Sequence, residues 1–495
     1  KGTLYICSRG GSVPGVAGRT GSHQLSFVSK NGDNAAMASQ GQPPLEDDRL
    51  ATIERPRMSN ETASPHTPNA NTTAKRSRTR WTICRRAQVT TRRCDVVSGR
   101  CRSHRVYLLW LSLPWALVAT GCIGSPSGAS ALKGQFEAEL NALHEKYQFP
   151  GATAAFVLPD GTVEVVAVGL ADVERKVAMK PNSRMLAASI GKTFVGAMVV
   201  ALAKEKHLDL DAPVSKWLGN RPWFSKLPNH EMITLRHLLT HTSGLANHVE
   251  TNEFAKAFQA SLSEPEAPLS PETCIEFILD EPALFQPGKG WHYSDTGYLL
   301  VGLIIEEATG RAYYDELKHR FLIPLKLKQT VPSDRPALPG LAAGYMASDN
   351  ALGLPPKTTG HKGNMVWNPG LEWTGGGLSS NPKDLVVWAK AVYEGKAIEG
   401  DYVETILDSV PVSKDAPAVR YGLGVAIHED GPRGPTYGHG GWIPGYSSSL
   451  RYYGNHGVAI AFQINTDIGI VDDSTLLFEE MEHRLADVVI ANMRN

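Results

Sequence analysis

The chain has 495 residues, 42% of them hydrophobic, and a formal net charge of zero. That length and apolar share exclude a wholly disordered chain and suggest two or three domains. The zero averages two unlike pieces: residues 1–106 carry 18 Lys and Arg against 7 Asp and Glu, and the remainder is correspondingly acidic. An acidic remainder argues against nucleic acid as a partner of the folded part.

The basic piece includes a run, 75–105, with eleven basic residues and one acid, Asp95. It is rich in Ser, Thr, Gly and Pro and lacks a sustained apolar period, so it is not expected to fold alone. It reads either as a basic arm for nucleic acid or an anionic membrane, or as an extension ahead of the native start. The next segment of the chain favours the second reading. Residues 106–121 are a short apolar run preceded by Arg100, Arg102 and Arg105, the order of a secretory signal, and too short and Pro-interrupted for a membrane span. A signal belongs at an N-terminus, which points to a start near Val96, Val97 or Val106, from a codon other than that of Met. Residues 107–131 then form a signal peptide. Val118-Ala119-Thr120-Gly121-Cys122 resembles a lipoprotein box, with Cys122 as a lipidated membrane tether, and Ala129-Ser130-Ala131 reads as an ordinary cleavage site. Both imply an exported bacterial protein, periplasmic or membrane-anchored. Five of the six cysteines precede the folded region, and only Cys274 lies inside it. That leaves no internal disulfide and makes Cys274 a buried structural thiol.

The folded region, 132–495, opens with an amphipathic helix, 132–147. Two β-branched runs, 152–158 and 162–169, flank Pro159-Asp160-Gly161, a hairpin signal. A helix follows over 189–206. It is apolar on every face, through Ile190, Phe194, Val195, Met198, Val199, Val200 and Leu202, so it should run through the interior. The stretch 207–395 reads as helices joined by long loops, with helices at 235–241, 271–279, 297–309 and 382–393. Strand patterns return at 421–428, 447–453 and 457–465, and a helix closes the chain over 474–493. Strands at both ends with a helical middle predict an α+β fold: one antiparallel sheet built from both chain ends and flanked by helices, with an inserted, mainly helical subdomain.

Ser-x-x-Lys occurs three times, at Ser130, Ser189 and Ser380. Ser130 lies at the signal junction. Ser380 precedes Asn381-Pro382, where Pro suits the first helical position, so Ser380 reads as a helix cap. Ser189 opens the buried helix. There the i, i+3 spacing puts its hydroxyl and the Lys192 ammonium on one face, and the helix dipole favours charge built up during attack. On this motif alone a capping role for Ser189 stays open. Gly191-Lys192-Thr193 matches the end of a phosphate-binding loop, but that loop needs Gly at 186 and the chain has Leu186, so no nucleotide hydrolysis is expected. His237 and His241 have metal-like spacing without an acidic partner. Asp209 and Asp211 are too few for calcium and read as a solvated helix end. Neither a metal nor a cofactor is expected.

Tyr293-Ser294-Asp295-Thr296-Gly297-Tyr298 follows the Ser189 motif, and His439-Gly440-Gly441 precedes the last strands. Between them lie Leu238-Leu239-Thr240-His241-Thr242-Ser243-Gly244-Leu245, Pro287-Gly288 and Gly375-Gly376-Gly377-Leu378-Ser379-Ser380. The ordered set resembles the serine β-lactamase family, closest to its class C, D-alanyl-D-alanine carboxypeptidase and esterase members, over essentially all of 132–495. The resemblance implies a covalent acyl-enzyme on Ser189, with Lys192 and Tyr293 sharing the proton work. It also implies an oxyanion site from the backbone N–H groups of Ser189 and Trp442, and a substrate strand carrying His439, Gly440, Gly441 and Trp442. Tyrosine is a poor base at its free pKa near 10 and needs a neighbouring cation. His439 is expected on an edge strand facing the site, binding a substrate carboxylate or assisting proton transfer.

Two departures stand out. Many relatives have Tyr-x-Asn, whereas here the motif ends in Asp295. An ionised Asp only accepts hydrogen bonds, so it should pair with Lys192, weaken β-lactam binding and favour substrates bearing an amine. The His-x-Gly motif, where β-lactamases of this type carry Lys-Thr-Gly, resembles carboxypeptidase and aminopeptidase relatives. The expected partner is thus a small-molecule or peptide substrate: a D-amino-acid peptide, a β-lactam or a small ester. A carboxylesterase of the same fold and a non-hydrolysing penicillin-binding sensor remain as alternatives.

Overall fold

A computed structural model describes residues 128–279, 281–360 and 363–493. The basic leader, the 106–121 run and Cys122 lie outside the described residues. Helix α1 spans Gly128–Tyr147 and leads into strands β1 (Gly151–Val157), β2 (Val163–Asp172), β3 (Val177–Ala178) and β4 (Met185–Leu186). The chain continues through α2 (Gly191–Lys204), α3 (Leu235–Leu239), α4 (Asp295–Thr309), β5 (Val331–Pro332), β6 (Leu378–Ser380) and α5 (Pro382–Tyr393). The C-terminal part holds β7 (Val410–Pro411), β8 (Val419–Tyr421), β9 (Ala426–His428), β10 (Thr436–Ile443), β11 (Tyr446–Tyr453), β12 (Val458–Ile464) and helix α6 (Leu477–Ala491).

Nine strands form one antiparallel sheet in the order β3-β2-β1-β12-β11-β10-β9-β8-β7. The first strand pairs directly with the last, Ala152 opposite Ile464 and Phe156 opposite Ile460. The two chain ends therefore build one sheet, as the sequence pattern predicts. Its centre is buried on both faces, and the period of two sorts the side chains between two cores. Ala154, Phe156, Ile460, Phe462 and Ile464 pack with Phe136, Leu140, Met481 and Leu485 of the terminal helices. Ala155, Val157, Ala459 and Ala461 join the other core with Phe194, Leu385 and Trp388. There Phe194 of α2 stacks on Trp388 of α5 at 3.8 Å between ring centres. Every residue of α2 from Gly191 to Leu202 is buried, which matches a helix apolar all round.

Two local expectations are corrected. The run 421–428 is two strands that fold back on each other, with Tyr421 opposite Ala426. Gly424 adopts φ +77°, and the Gly422 N–H bonds the Val425 carbonyl, so the glycines reverse the chain. Ser380 is not the cap of α5: Asn381 Oδ1 accepts from the Asp384 N–H at 3.0 Å, while Ser380 sits in β6. A second sheet, β4-β6-β5, has strands only two or three residues long, too short to leave a periodic signal in the sequence.

The β8–β9 hairpin rests on α2 at one glycine. A Cβ on Gly196 would lie 1.9 Å from the Leu423 carbonyl oxygen. Gly196→Ala must push the hairpin away, and should lower stability by about 1–3 kcal/mol. A thermal melt of the variant tests this; a Tm equal to the parent's would show that the contact is not tight.

Candidate active site

Ser189 sits in a 3₁₀ turn, Ala188–Ile190, just before α2. Ala188 has φ +49°, which an L-residue adopts only when its surroundings impose it. Those surroundings are tight. The Ala187 N–H bonds the Leu378 carbonyl, and Ser448 Oγ donates to the Ala187 carbonyl at 2.9 Å. A Cβ on Gly376 would lie 2.6 Å from the Ala188 carbonyl carbon, and one on Gly441 would lie 2.4 Å from Ala187 O. Only glycine at both positions lets β10 and the 375–377 segment close on the turn. Ser189 stays partly exposed among buried neighbours.

Lys192 is fully buried, and its ammonium finds three acceptors: Ser189 Oγ at 3.1 Å, Asp295 Oδ1 at 2.5 Å and the Gly375 carbonyl. Three donors meeting three acceptors suits the charged amine. Asp295 is the first residue of α4, and its amide donates to Asn247 Oδ1 at 3.0 Å. The Tyr293 hydroxyl donates to Ser189 Oγ at 2.8 Å, and Lys192 Nζ lies 4.9 Å from the Tyr293 ring centre. Burial first, and the Asp295 carboxylate second, hold the Tyr293 phenol well above its usual range. Ser189, Lys192, Tyr293 and Asp295 thus form one connected cluster.

His439 lies on the strand expected to carry it, and its ring is held inward. Strand β9 pairs with β10 only at Thr436–Gly438, so residues 439–443 form an edge segment not paired with β9. The His439 ring is buried. Its Nε2 meets the Tyr421 hydroxyl at 2.8 Å, and Nδ1 turns to the Gly440 carbonyl. Burial first, then the Lys192 charge, push its pKa down to about 3. The imidazole is therefore neutral and offers no cation to a substrate carboxylate, and its ring centre is 6.3 Å from that of Tyr293. Gly440 and Gly441 lie beside it on β10. Trp442 is 39% exposed, and its Nε1 donates to Asp467 at 3.3 Å.

Two nearby residues, Glu372 and Tyr421, carry no local signal in the sequence. Glu372 is half-buried, and burial followed by the Asp295 carboxylate pushes its pKa up to about 7. It precedes Trp373, which has φ +36°. The His241 and Tyr421 rings lie 4.2 and 6.4 Å from that of Tyr293. His237 does not join His241: its Nδ1 accepts from the Thr234 N–H and caps α3. Cys274 is fully buried, its thiol pushed up to about 12 by burial. A cavity of about 500 Å³ is lined by residues that include His237, Thr242, Trp291 and Lys414, but not by Ser189.

A partly exposed serine joined to a buried lysine and a tyrosine, beside an antiparallel sheet made from both chain ends, can carry acyl transfer. The Beta-lactamase family model matches residues 136–482, and the chain belongs to that family as a serine hydrolase. It is 26% identical over 332 residues to Penicillin-binding protein 4* of Bacillus subtilis, covering 66% of this chain and 70% of that protein. It is 25% identical over 315 residues to the D-aminopeptidase of Brucella anthropi, covering 63% of this chain but only 55% of that one. Among solved structures, a D-stereospecific amidohydrolase from Streptomyces sp. superposes with a TM-score of 0.59 at 28% identity, covering 72% of this chain and 98% of that one.

The buried histidines give the fold a pH dependence. His241, His248 and His439 are 1–2% exposed, and burial lowers each, His248 to about 4 and His439 to about 3. The unfolded chain, with histidines near 6.5, takes up protons first as pH falls. Stability is therefore full above pH 6.5 and is lost below it, by up to about 1.4 kcal/mol per pH unit for each histidine. Glu372, raised rather than lowered, acts in the opposite sense from pH 7 down. The lowered histidines, which also include His237, His292 and His428, outnumber the raised carboxyls Glu372, Asp384 and Asp467, so Tm should fall between pH 6.5 and 5; a flat or rising Tm over that range would contradict the burial of these rings.

Proposed function

We propose that this serine hydrolase cleaves amide bonds of small D-amino-acid derivatives that carry a free amine, through a covalent acyl-enzyme on Ser189. The observation that carries the reading is the double hold on Ser189 Oγ by Lys192 Nζ and the Tyr293 hydroxyl. In the proposed reaction the cluster first loses one proton, so that Tyr293 acts as a phenolate beside the Lys192 ammonium, and Ser189 Oγ then attacks the amide carbon as its proton passes to the Tyr293 oxygen. The carbonyl becomes an oxyanion held by the Ser189 and Trp442 backbone N–H groups. The C–N bond then breaks, Tyr293 delivers a proton to the leaving nitrogen, and water hydrolyses the ester while Ser189 regains its proton.

The preference for an amine rests on charge. Asp295 can accept from a substrate but not donate to it, and Glu372 adds a second carboxyl within reach of the Asp295 charge. The names of two similar proteins, a D-aminopeptidase and a D-stereospecific amidohydrolase, support the same class. Export through the 107–131 segment, with Cys122 as a tether, belongs to this reading on sequence grounds.

The test is to assay D-alanine p-nitroanilide, its N-acetyl form, a p-nitrophenyl ester and a fluorescent penicillin, weighing the protein after each. The free-amine anilide should turn over fastest, and Ser189→Ala should lower that rate by at least about 10³-fold. Ester turnover alone would mark an esterase, and a stable penicillin adduct without turnover would mark a sensor. Asp295→Asn should raise penicillin turnover relative to the anilide by about tenfold, the worth of one hydrogen bond to a charged group. An unchanged ratio would remove Asp295 from substrate selection.

A further inference from the structure

His241 makes two hydrogen bonds that bracket Tyr293. Its backbone carbonyl accepts from the His292 N–H at 3.0 Å, and its ring Nδ1 accepts from the Ser294 N–H at 3.1 Å. Its ring also lies against the Tyr293 ring, 4.2 Å between centres, and packs on Tyr421 at 4.6 Å, Tyr298 at 5.2 Å and Trp291 at 5.8 Å. The residues on both sides of Tyr293 and the face of its ring are thus fixed by one side chain and its own backbone.

The cost of this arrangement is visible. His241 has φ +60° and is 1% exposed. Its Nε2 is buried without a hydrogen-bond partner. A buried unpaired N–H is expensive, and here the surrounding aromatic faces are what remains to receive it. Burial first, and the Lys192 charge second, keep the imidazole well below its ordinary range and so neutral. Neutrality leaves the Nδ1 lone pair for Ser294 and puts the proton on Nε2.

We propose that His241 is a positioning residue that sets the Tyr293 hydroxyl on Ser189, with Nδ1 as the acceptor that does so. This rests on the reading that Tyr293 moves the proton in acyl transfer. An orienting group acts through geometry, and a displacement of about 1 Å at a proton donor costs on the order of 100-fold in rate.

The experiment compares His241→Asn, His241→Phe, Tyr293→Phe and the double variant His241→Phe/Tyr293→Phe on the p-nitroanilide, with Tm for each. Asn tolerates positive φ and offers Oδ1 in place of Nδ1, whereas Phe keeps a ring but has no acceptor. His241→Phe should lower kcat by roughly 100-fold with KM nearly unchanged, and by less than about 3-fold in the Tyr293→Phe background, because the group it positions is already gone. His241→Asn should keep kcat within about 5-fold of the parent. Equal losses from His241→Phe in both backgrounds, or no loss in either, overturn the proposal while leaving the Tyr293 reading intact. Full activity of Tyr293→Phe instead overturns the reading on which the proposal rests. If His241→Phe does not melt cooperatively, His241→Asn decides: retained kcat at parental Tm supports the acceptor role, and a large loss at parental Tm refutes it.

Discussion

A fully buried ammonium organises this site. Lys192 has no access to water, and an isolated charge in that position is untenable unless every donor is matched. Its three acceptors come from the turn before α2, the start of α4 and the glycine run before β6. Those segments are far apart in sequence, so satisfying one cation forces them together. The sheet sets the frame in which this happens: β10 lies against the Ser189 turn through Gly441, and the β8–β9 hairpin lies against α2 through Gly196. Either contact closes to its present distance only because a side chain is missing.

Backbone strain gathers at the same place. Ala188, His241 and Trp373 all have positive φ, and all three flank groups of the cluster: Ser189, Tyr293 and Glu372. Conformations of this kind persist only where the surrounding packing over-determines them. Around Ala188 the packing is supplied by Gly376, Gly441 and the Ser448 hydroxyl, and around His241 by four aromatic rings. The rigidity of the buried helix α2 is thereby passed to the partly exposed serine at its head.

Much of this is legible in the sequence, for reasons that can be named. The all-round apolar pattern of α2, the Pro-Asp-Gly hairpin between β1 and β2 and the return of strand patterns at the C-terminus are local signals, and together they specify the α+β architecture. Ser189, Lys192, Tyr293 and Asp295 are recognisable from the order of their motifs along the chain. The β8–β9 reversal is hidden because Tyr421 to His428 carries an apolar alternation that two glycines override. Glu372 does not show as a neighbour of the cluster because nothing local marks it, and the His241 stretch is recognisable without revealing that its ring meets Tyr293: both placements depend on strained turns. His439 is identified by its motif, but the motif does not say whether its ring is charged. Burial, which no motif encodes, decides that question.

The charge balance follows from these placements and bears on the proposed substrate. Lys192 has all its donors engaged, and its pairing with Asp295 makes a nearly neutral unit. His439 and His241 are neutral. A substrate carboxylate approaching β10 would therefore meet no unengaged cation among these groups, and would lose its hydration for little return. A substrate ammonium, in contrast, would approach Asp295 and the Glu372 carboxyl, whose pKa is pushed up to about 7, and its positive charge would favour the ionised form of Glu372. The same charge would offset the carboxylate that holds the Tyr293 phenol high. In the proposed reading the amine would then do more than bind: by neutralising Asp295 and Glu372 it would lower the cost of charge on Tyr293 at the moment the proton must move.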